Sequence, residues 1–186
     1  MDMKPNLYVF FIVLSLSACQ KDKYEIPIFE PGPMTYGWAE AKKGNRDWLA
    51  SAGAYWTGIE PNRFVALGIG TETEEGFIRE NLIFGGLLFK ESYYPVVSTL
   101  ENSSNYVARV SYGIFDDDGD VLGDYYELDE SKYNWISITA VDSLNNKISG
   151  SFQVSFKIAT PGGKNNPRNP DKVTFSDGAF EVEIFR

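Results

Sequence analysis

The sequence predicts an all-β domain of about ten strands, an antiparallel two-sheet β-sandwich or flattened barrel, with a lipocalin-like barrel as the alternative architecture. Three observations carry this expectation. Apolar residues recur with period two over most of the chain after Met34, as half-buried strands require. Residue pairs that tolerate positive φ punctuate those runs at Gly44-Asn45, Asp118-Gly119, Asn145-Asn146 and Asp177-Gly178, the chemistry of tight hairpins. No window holds a helical stripe longer than two turns. Short, regularly spaced strands joined by tight turns read as a sandwich or barrel.

The strands are expected near 34–42, 46–56, 63–71, 80–89, 95–100, 105–115, 121–127, 133–142, 147–158 and 172–185. Around Phe64 to Ile69 both faces are apolar or glycine, which predicts a central strand. Tyr106, Ala108, Val110, Tyr112 and Ile114 form one face of a strand, with Arg109, Ser111 and Gly113 opposite. Phe152, Val154, Phe156 and Ile158 alternate with Gln153, Ser155 and Lys157, one face dry and one wet. Asp177-Gly178, set between Val173-Thr174-Phe175 and Phe180-Glu181-Val182, predicts a hairpin within the last segment. Thr160 to Lys172, rich in Gly, Asn and Pro, is the longest stretch without a strand pattern and is expected to be mobile.

Composition removes several function classes. The chain has 186 residues, 17 basic and 26 acidic side chains and a net charge of −9. It has no histidine and one cysteine, so Ser-His-Asp and Cys-His catalytic units, histidine metal ligands and internal disulfides are all excluded. A pI near 4.6 without a basic stripe disfavours nucleic acid, because phosphates would be repelled. Gly162-Gly163-Lys164 lacks the spacing of a phosphate-cradling loop. An aromatic fraction of 15 % is ample for a core in a single domain over 34–186.

Residues 1–18 read as a signal peptide. Lys4 precedes the apolar run Leu7 to Leu14, which is shorter than the roughly 20 residues of a membrane span. Leu16-Ser17-Ala18-Cys19 resembles the lipobox of bacterial lipoproteins, which implies cleavage before Cys19 and acylation of that residue. Gln20-Lys21-Asp22-Lys23 resembles the charged export tag of surface lipoproteins in Bacteroidota-type bacteria, although Lys23 departs from the usual acidic ending. Residues 19–33 are expected to be the lipidated cysteine and an extended tether, stiff from Tyr24 to Pro33 through Pro27, Pro31 and Pro33. Removing residues 1–18 leaves 186 − 18 = 168 residues, and because Asp2 and Lys4 cancel, the charge stays at −9.

Two features are candidates for chemistry. Between Glu101 and Asp142 ten carboxylates face only Arg109 and Lys132. Asp116, Asp118, Asp120 and Asp124 suit a hard cation such as calcium, but the register misses the EF-hand pattern, with Ile114 where the first aspartate belongs. The favoured reading is an acidic turn that keeps a strand end solvated. Glu80, Asp124 and Glu127 are formal candidates for the two acids of a glycoside hydrolase. The second feature is aromatic. Tyr93-Tyr94 and Tyr125-Tyr126 are adjacent pairs, so within a strand one ring of each pair faces away from the other, and an exposed ring could stack on a sugar. Trp38, Trp48, Trp56 and Trp135 are expected to pack in the core or at sheet edges.

Trp38-Ala39-Glu40-Ala41, Trp48-Leu49-Ala50, Asn134-Trp135-Ile136-Ser137-Ile138, Ile148-Ser149-Gly150-Ser151-Phe152 and Val173 to Phe180 are together similar to small Bacteroidota outer-membrane lipoproteins with an all-β domain of unknown function. The resemblance implies a lipid-anchored, surface-exposed outer-membrane protein and transfers no catalytic residue. The expected function is a cell-envelope binding or structural module rather than an enzyme, partnered by the membrane through its anchor and by an envelope protein or a glycan. The alternative is a glycan-binding protein or carboxylate-based glycoside hydrolase at the cell surface.

Overall fold

The computed structural model describes residues 36–58, 63–98, 107–160 and 162–185. The signal peptide, Cys19, the tether, Met34 and Tyr106 lie outside them. The described residues contain ten strands and no helix. β1 (Gly37–Lys43) and β2 (Arg46–Thr57) form a hairpin around Gly44, whose φ of 61° its turn requires. β3 (Phe64–Glu72) and β4 (Ile78–Leu87) continue the meander, and β3 is buried on both faces as its sequence predicts. β5 (Ser92–Val97), β6 (Ala108–Phe115), β7 (Leu122–Leu128), β8 (Trp135–Asp142), β9 (Lys147–Ile158) and β10 (Lys172–Phe185) complete the set.

The expected two-sheet sandwich is not what forms. All ten strands belong to one mixed sheet that rings round. Tracing neighbours from β1 through β2, β3, β4, β6, β7, β9 and β10 returns to β1, each step antiparallel. Closure removes the free edges a sandwich would have to protect. The purely antiparallel expectation also fails, since β10 meets β2 in parallel at Ile184 and Phe185, and β5 meets β6 in parallel at Val96 and Val97. The neighbour-to-neighbour order of a lipocalin-like barrel holds through β4 and breaks at β5.

The break is a branch in the wall. One edge of β9 pairs with β10 from Lys147 to Lys157, while its other edge is divided between β8, at Lys147 to Gln153, and β7, at Phe156 to Ile158. β6 divides its edge in the same way between β5 and β7. Between the two shares of β9, the buried Asn134 side chain replaces a strand, because its Oδ1 accepts from the Ser155 amide at 2.8 Å. Its Nδ2 donates to the Asp129 carbonyl, and its own carbonyl accepts from Val96 N of β5. A buried amide at the junction is thereby satisfied rather than orphaned.

Side chains fill the interior. Trp48, Phe84, Tyr112, Tyr126, Phe152, Phe156 and Phe175 are buried there. Tyr112 lies 5.1 Å from Tyr126, 5.2 Å from Phe156 and 5.2 Å from Phe175, ring centre to ring centre. Each such ring contributes about 2 kcal/mol through burial, with a further increment from edge-to-face contact.

The predicted hairpin at Asp177-Gly178 is a β-bulge inside one continuous 14-residue strand. Pairing with β9 runs from Lys172↔Lys157 to Phe175↔Val154, then resumes at Gly178↔Phe152. Asp177 takes φ 52°. The extra residue switches which parity faces inward, so Val173 and Phe175 before it, and Phe180, Val182 and Ile184 after it, are all buried. A hairpin and a bulge share this signature, namely a parity change around residues that tolerate positive φ. Strand 92–97 likewise starts three residues before its expected position, which places Tyr93 and Tyr94 inside it.

Gly178 lies directly under the Phe152 ring, and an added Cβ would meet ring atoms at 2.7 Å. Across the same pair of strands, Gly150 opposite Phe180 leaves the same kind of gap, with ring atoms at 2.8 Å from such a Cβ. Gly178→Ala should therefore lower stability by about 2 kcal/mol through overpacking. The measurement is the urea midpoint, which should fall at unchanged slope; an unchanged midpoint would show that the ring has room to move.

Candidate functional site

Period two decides the tyrosine pairs. Tyr94 is buried, and its hydroxyl accepts from Leu88 N at 3.0 Å, whereas its neighbour Tyr93 is exposed. Tyr126 is buried with its hydroxyl donating to the Pro170 carbonyl at 2.8 Å, and Tyr125 is exposed. In each pair one ring belongs to the core and the other to the surface.

The exposed ring of β5 has company. Tyr93 and Trp135 lie diagonally across the β5–β8 ladder, with centroids 5.9 Å apart and planes 27° from parallel. The Tyr93 hydroxyl donates to the hydroxyl of Tyr133 at 2.6 Å, and the Tyr133 carbonyl accepts from Gln153 Nε2. Partial desolvation of its hydroxyl, together with this bond to Tyr133, pushes the Tyr93 phenol up to about 12, so it stays a neutral donor throughout the physiological range. The result is an aromatic cluster on the outer wall, with the Tyr133 hydroxyl and the Gln153 amide beside it. Tyr133 is 70 % exposed. The adjacent Tyr-Tyr signal gives Tyr93, but not Trp135 or Tyr133, which only the β5–β8 pairing brings to it. Tyr125 lies on β7 instead, where Gly163 and Ala159 of the β9–β10 loop bond its backbone.

The acidic group divides. Asp116, Asp118 and Asp120 converge at the exposed β6–β7 turn, each with an oxygen within 4.8 Å of the others. Asp118, bonded by Asp116 and Asp120, is held below the ordinary carboxylate range. Asp116 is raised by desolvation and its bond to Asp118, and Asp120 by its bond to Asp118. Arg79 donates to the Asp116 carbonyl and to the Asp117 carboxylate.

Asp124 does not join that group. It is fully buried, and its carboxylate accepts from the Asn165 and Asn166 amides at 2.5 and 2.9 Å and from Asn169 Nδ2 at 2.5 Å. The segment 163–171, expected to be mobile, is therefore clasped to β7. Lys164 closes it further by donating to the Asn169 carbonyl and the Asp171 carboxylate.

The two glutamates also have partners. Glu80 points inward from β4, where it accepts from Lys43 Nζ and from Trp48 Nε1 at 2.7 Å. Lys43 Nζ lies 5.6 Å from the Tyr112 ring centre. Burial and the charge of Glu80 push the Tyr112 phenol up. Glu127 pairs with Lys157 across strands at 3.0 Å. Glu80, Asp124 and Glu127 thus occupy three separate settings: the interior, the loop clasp and a cross-strand pair.

Burial alone would raise Asp124, but the two backbone amides and Asn169 outweigh it and hold the carboxyl below its usual value. A depressed folded value means stability present above the unfolded pKa and lost as pH falls through the folded one. Asp124→Asn should cost roughly 3 kcal/mol at neutral pH, as charge-assisted bonds are lost. The gap to wild type should be full above about pH 4 and close in more acid solution. Urea melts across pH measure it; a gap independent of pH would mean the charge does not hold the loop. The chain matches no known protein-family model, no curated protein and no solved structure.

Proposed function

We propose that the protein is a lipid-anchored binding module of the bacterial cell envelope, held in the outer membrane by an acylated Cys19 and facing outward, that takes carbohydrate on the aromatic wall of β5 and β8. The anchor and its address rest on the lipobox and the Gln20 to Lys23 tag. The carbohydrate reading rests on one observation, the Tyr93–Trp135 pair, stacked at 5.9 Å and flanked by the Tyr133 hydroxyl. Flat rings present an apolar face to the C–H face of a pyranose, while the adjacent hydroxyl and amide bond its hydroxyls. An open platform of this kind covers one side of a ligand only. Its affinity for a single sugar unit is therefore weak, on the order of millimolar. Many anchored copies on one surface compensate by multivalency, without new contacts.

Binding to a glycan array without turnover is the expected result for the protein released from its anchor. Trp135→Ala and Tyr93→Ala should each weaken binding about tenfold, equivalent to about 1.4 kcal/mol, and Tyr125→Ala should leave it unchanged. Hydrolysis abolished by one Asp or Glu substitution would replace this reading with the glycoside hydrolase.

The β6–β7 turn acts as a solvated acidic tip. Three converging carboxylates supply about half of the six to eight oxygens calcium takes, and the Arg79 guanidinium sits against the same turn. The melting temperature should be the same in excess calcium and in chelator; a rise with calcium, by mass action on the native state, would make the triad a metal site.

A further inference from the structure

Asp124 is the third residue of β7 and shares the inward-facing parity of the buried Tyr126 and Leu128. It lies opposite Ile114 of β6, which lies opposite Glu80 of β4, so Glu80, Ile114 and Asp124 form one lateral row on the inside of the wall. The donors that reach Asp124 therefore sit over the interior, at the end of the barrel where β9 stops at Ile158 and β10 starts at Lys172.

The segment that supplies those donors has two fixed ends and a middle held by few bonds. At one end Gly163 accepts from Tyr125 N and donates to the Ala159 carbonyl; at the other, Asp171 accepts from Ile158 N. Between them, residues 164–170 bury no apolar side chain: Pro167 and Pro170 are exposed, and the rest are Lys, Arg and Asn. Among the described residues, the ties of this middle to the wall are its three bonds to Asp124, one from Asn165 to the Gly123 carbonyl and one from the Tyr126 hydroxyl to Pro170. Lys164 Nζ, bonded to the Asn169 carbonyl and the Asp171 carboxylate, ties the segment to itself. Without buried apolar area, such a segment opens at the cost of its hydrogen bonds alone, far below the cost of unfolding the core.

We infer that residues 164–170 are a strap closing this mouth of the barrel, with Asp124 as its latch, and that the strap opens as one piece while the barrel stays folded. The latch dominates because bonds to a charged acceptor are stronger than neutral ones. Of the groups that face it, Lys164 is the cation and is itself bonded to Asp171. Ile114 carries no charge, Tyr126, pushed up to about 12 by burial and neighbouring charges, is neutral, and Glu80 stands two strands away. An open strap leaves the Asp124 carboxylate and the Tyr126 hydroxyl facing solvent. Opening thus admits water and small polar solutes to the row that ends at Glu80.

The test is hydrogen exchange and trypsin digestion of the full-length chain at neutral pH. In wild type the Asn165 and Asn166 amides should be protected about a hundredfold, and the β3 amides by several orders of magnitude more. Asp124→Asn should remove the strap's protection and open the Lys164–Asn165 and Arg168–Asn169 bonds to trypsin. β3 should stay protected, and the clipped halves should stay together through the β9–β10 ladder. Asn169→Ala, which removes one bond and keeps the carboxylate, should lower the strap's protection about tenfold. Strap amides that exchange as slowly as those of β3 in wild type, or an Asp124→Asn chain that does not fold, overturn the separate opening. Strap amides still protected in Asp124→Asn, or unchanged by Asn169→Ala, overturn the latch.

Discussion

One extra residue at Asp177 makes the rest of this barrel consistent. β10 pairs with β9 along one edge and with β1 and β2 along the other, so it is the seam where the ring closes. Strict alternation through all 14 residues, continued from Phe175, would have turned Glu181 and Glu183 inward and Phe180, Val182 and Ile184 outward. The bulge corrects the phase, and the bend and twist it adds are what a closing sheet needs. Gly178 and Gly150 leave space for the Phe152 and Phe180 rings beside that point. The apolar phase and the closure are thus fixed together.

Closure also explains the branch. β7 pairs with β6 only at Tyr112 to Phe115 and with β9 only at Phe156 to Ile158, and β5 and β8 take the remaining edges. At the junction no strand can serve both partners, and Asn134 fills the ladder with its side chain. The same arrangement places β5 beside β8 and brings Tyr93 over Trp135. The candidate carbohydrate surface is therefore a product of how the wall is divided rather than of any local motif.

The charged residues that look most like chemistry in the sequence are largely engaged in holding the fold. Asp124 clasps the 163–171 segment, Glu80 sits in the interior with Lys43 and Trp48, and Glu127 pairs with Lys157. A buried pair such as Lys43–Glu80 adds little net stability over an apolar pair, but losing one partner would leave the other charge without compensation. Among the described residues, only Asp116, Asp118 and Asp120 remain grouped in solvent.

Local physics was enough for part of this. Period two identified the strands, the doubly apolar run identified β3 as central, and the adjacent tyrosines announced one buried and one exposed ring, because each of these depends only on neighbouring residues along a strand. Gly44, Gly119 and Asn146 likewise declared their turns through the positive φ they adopt. The sequence could not separate a hairpin from a bulge at Asp177-Gly178, since both reverse the parity and both use positive φ; the tertiary structure decided it through the pairing of the whole strand with β9. Nor could it show that Asp124 is a clasp, as its partners lie some forty residues away. Closure into one ring and the β5–β8 branch arose only with long-range pairing, in which edges far apart in sequence satisfy each other's backbone groups.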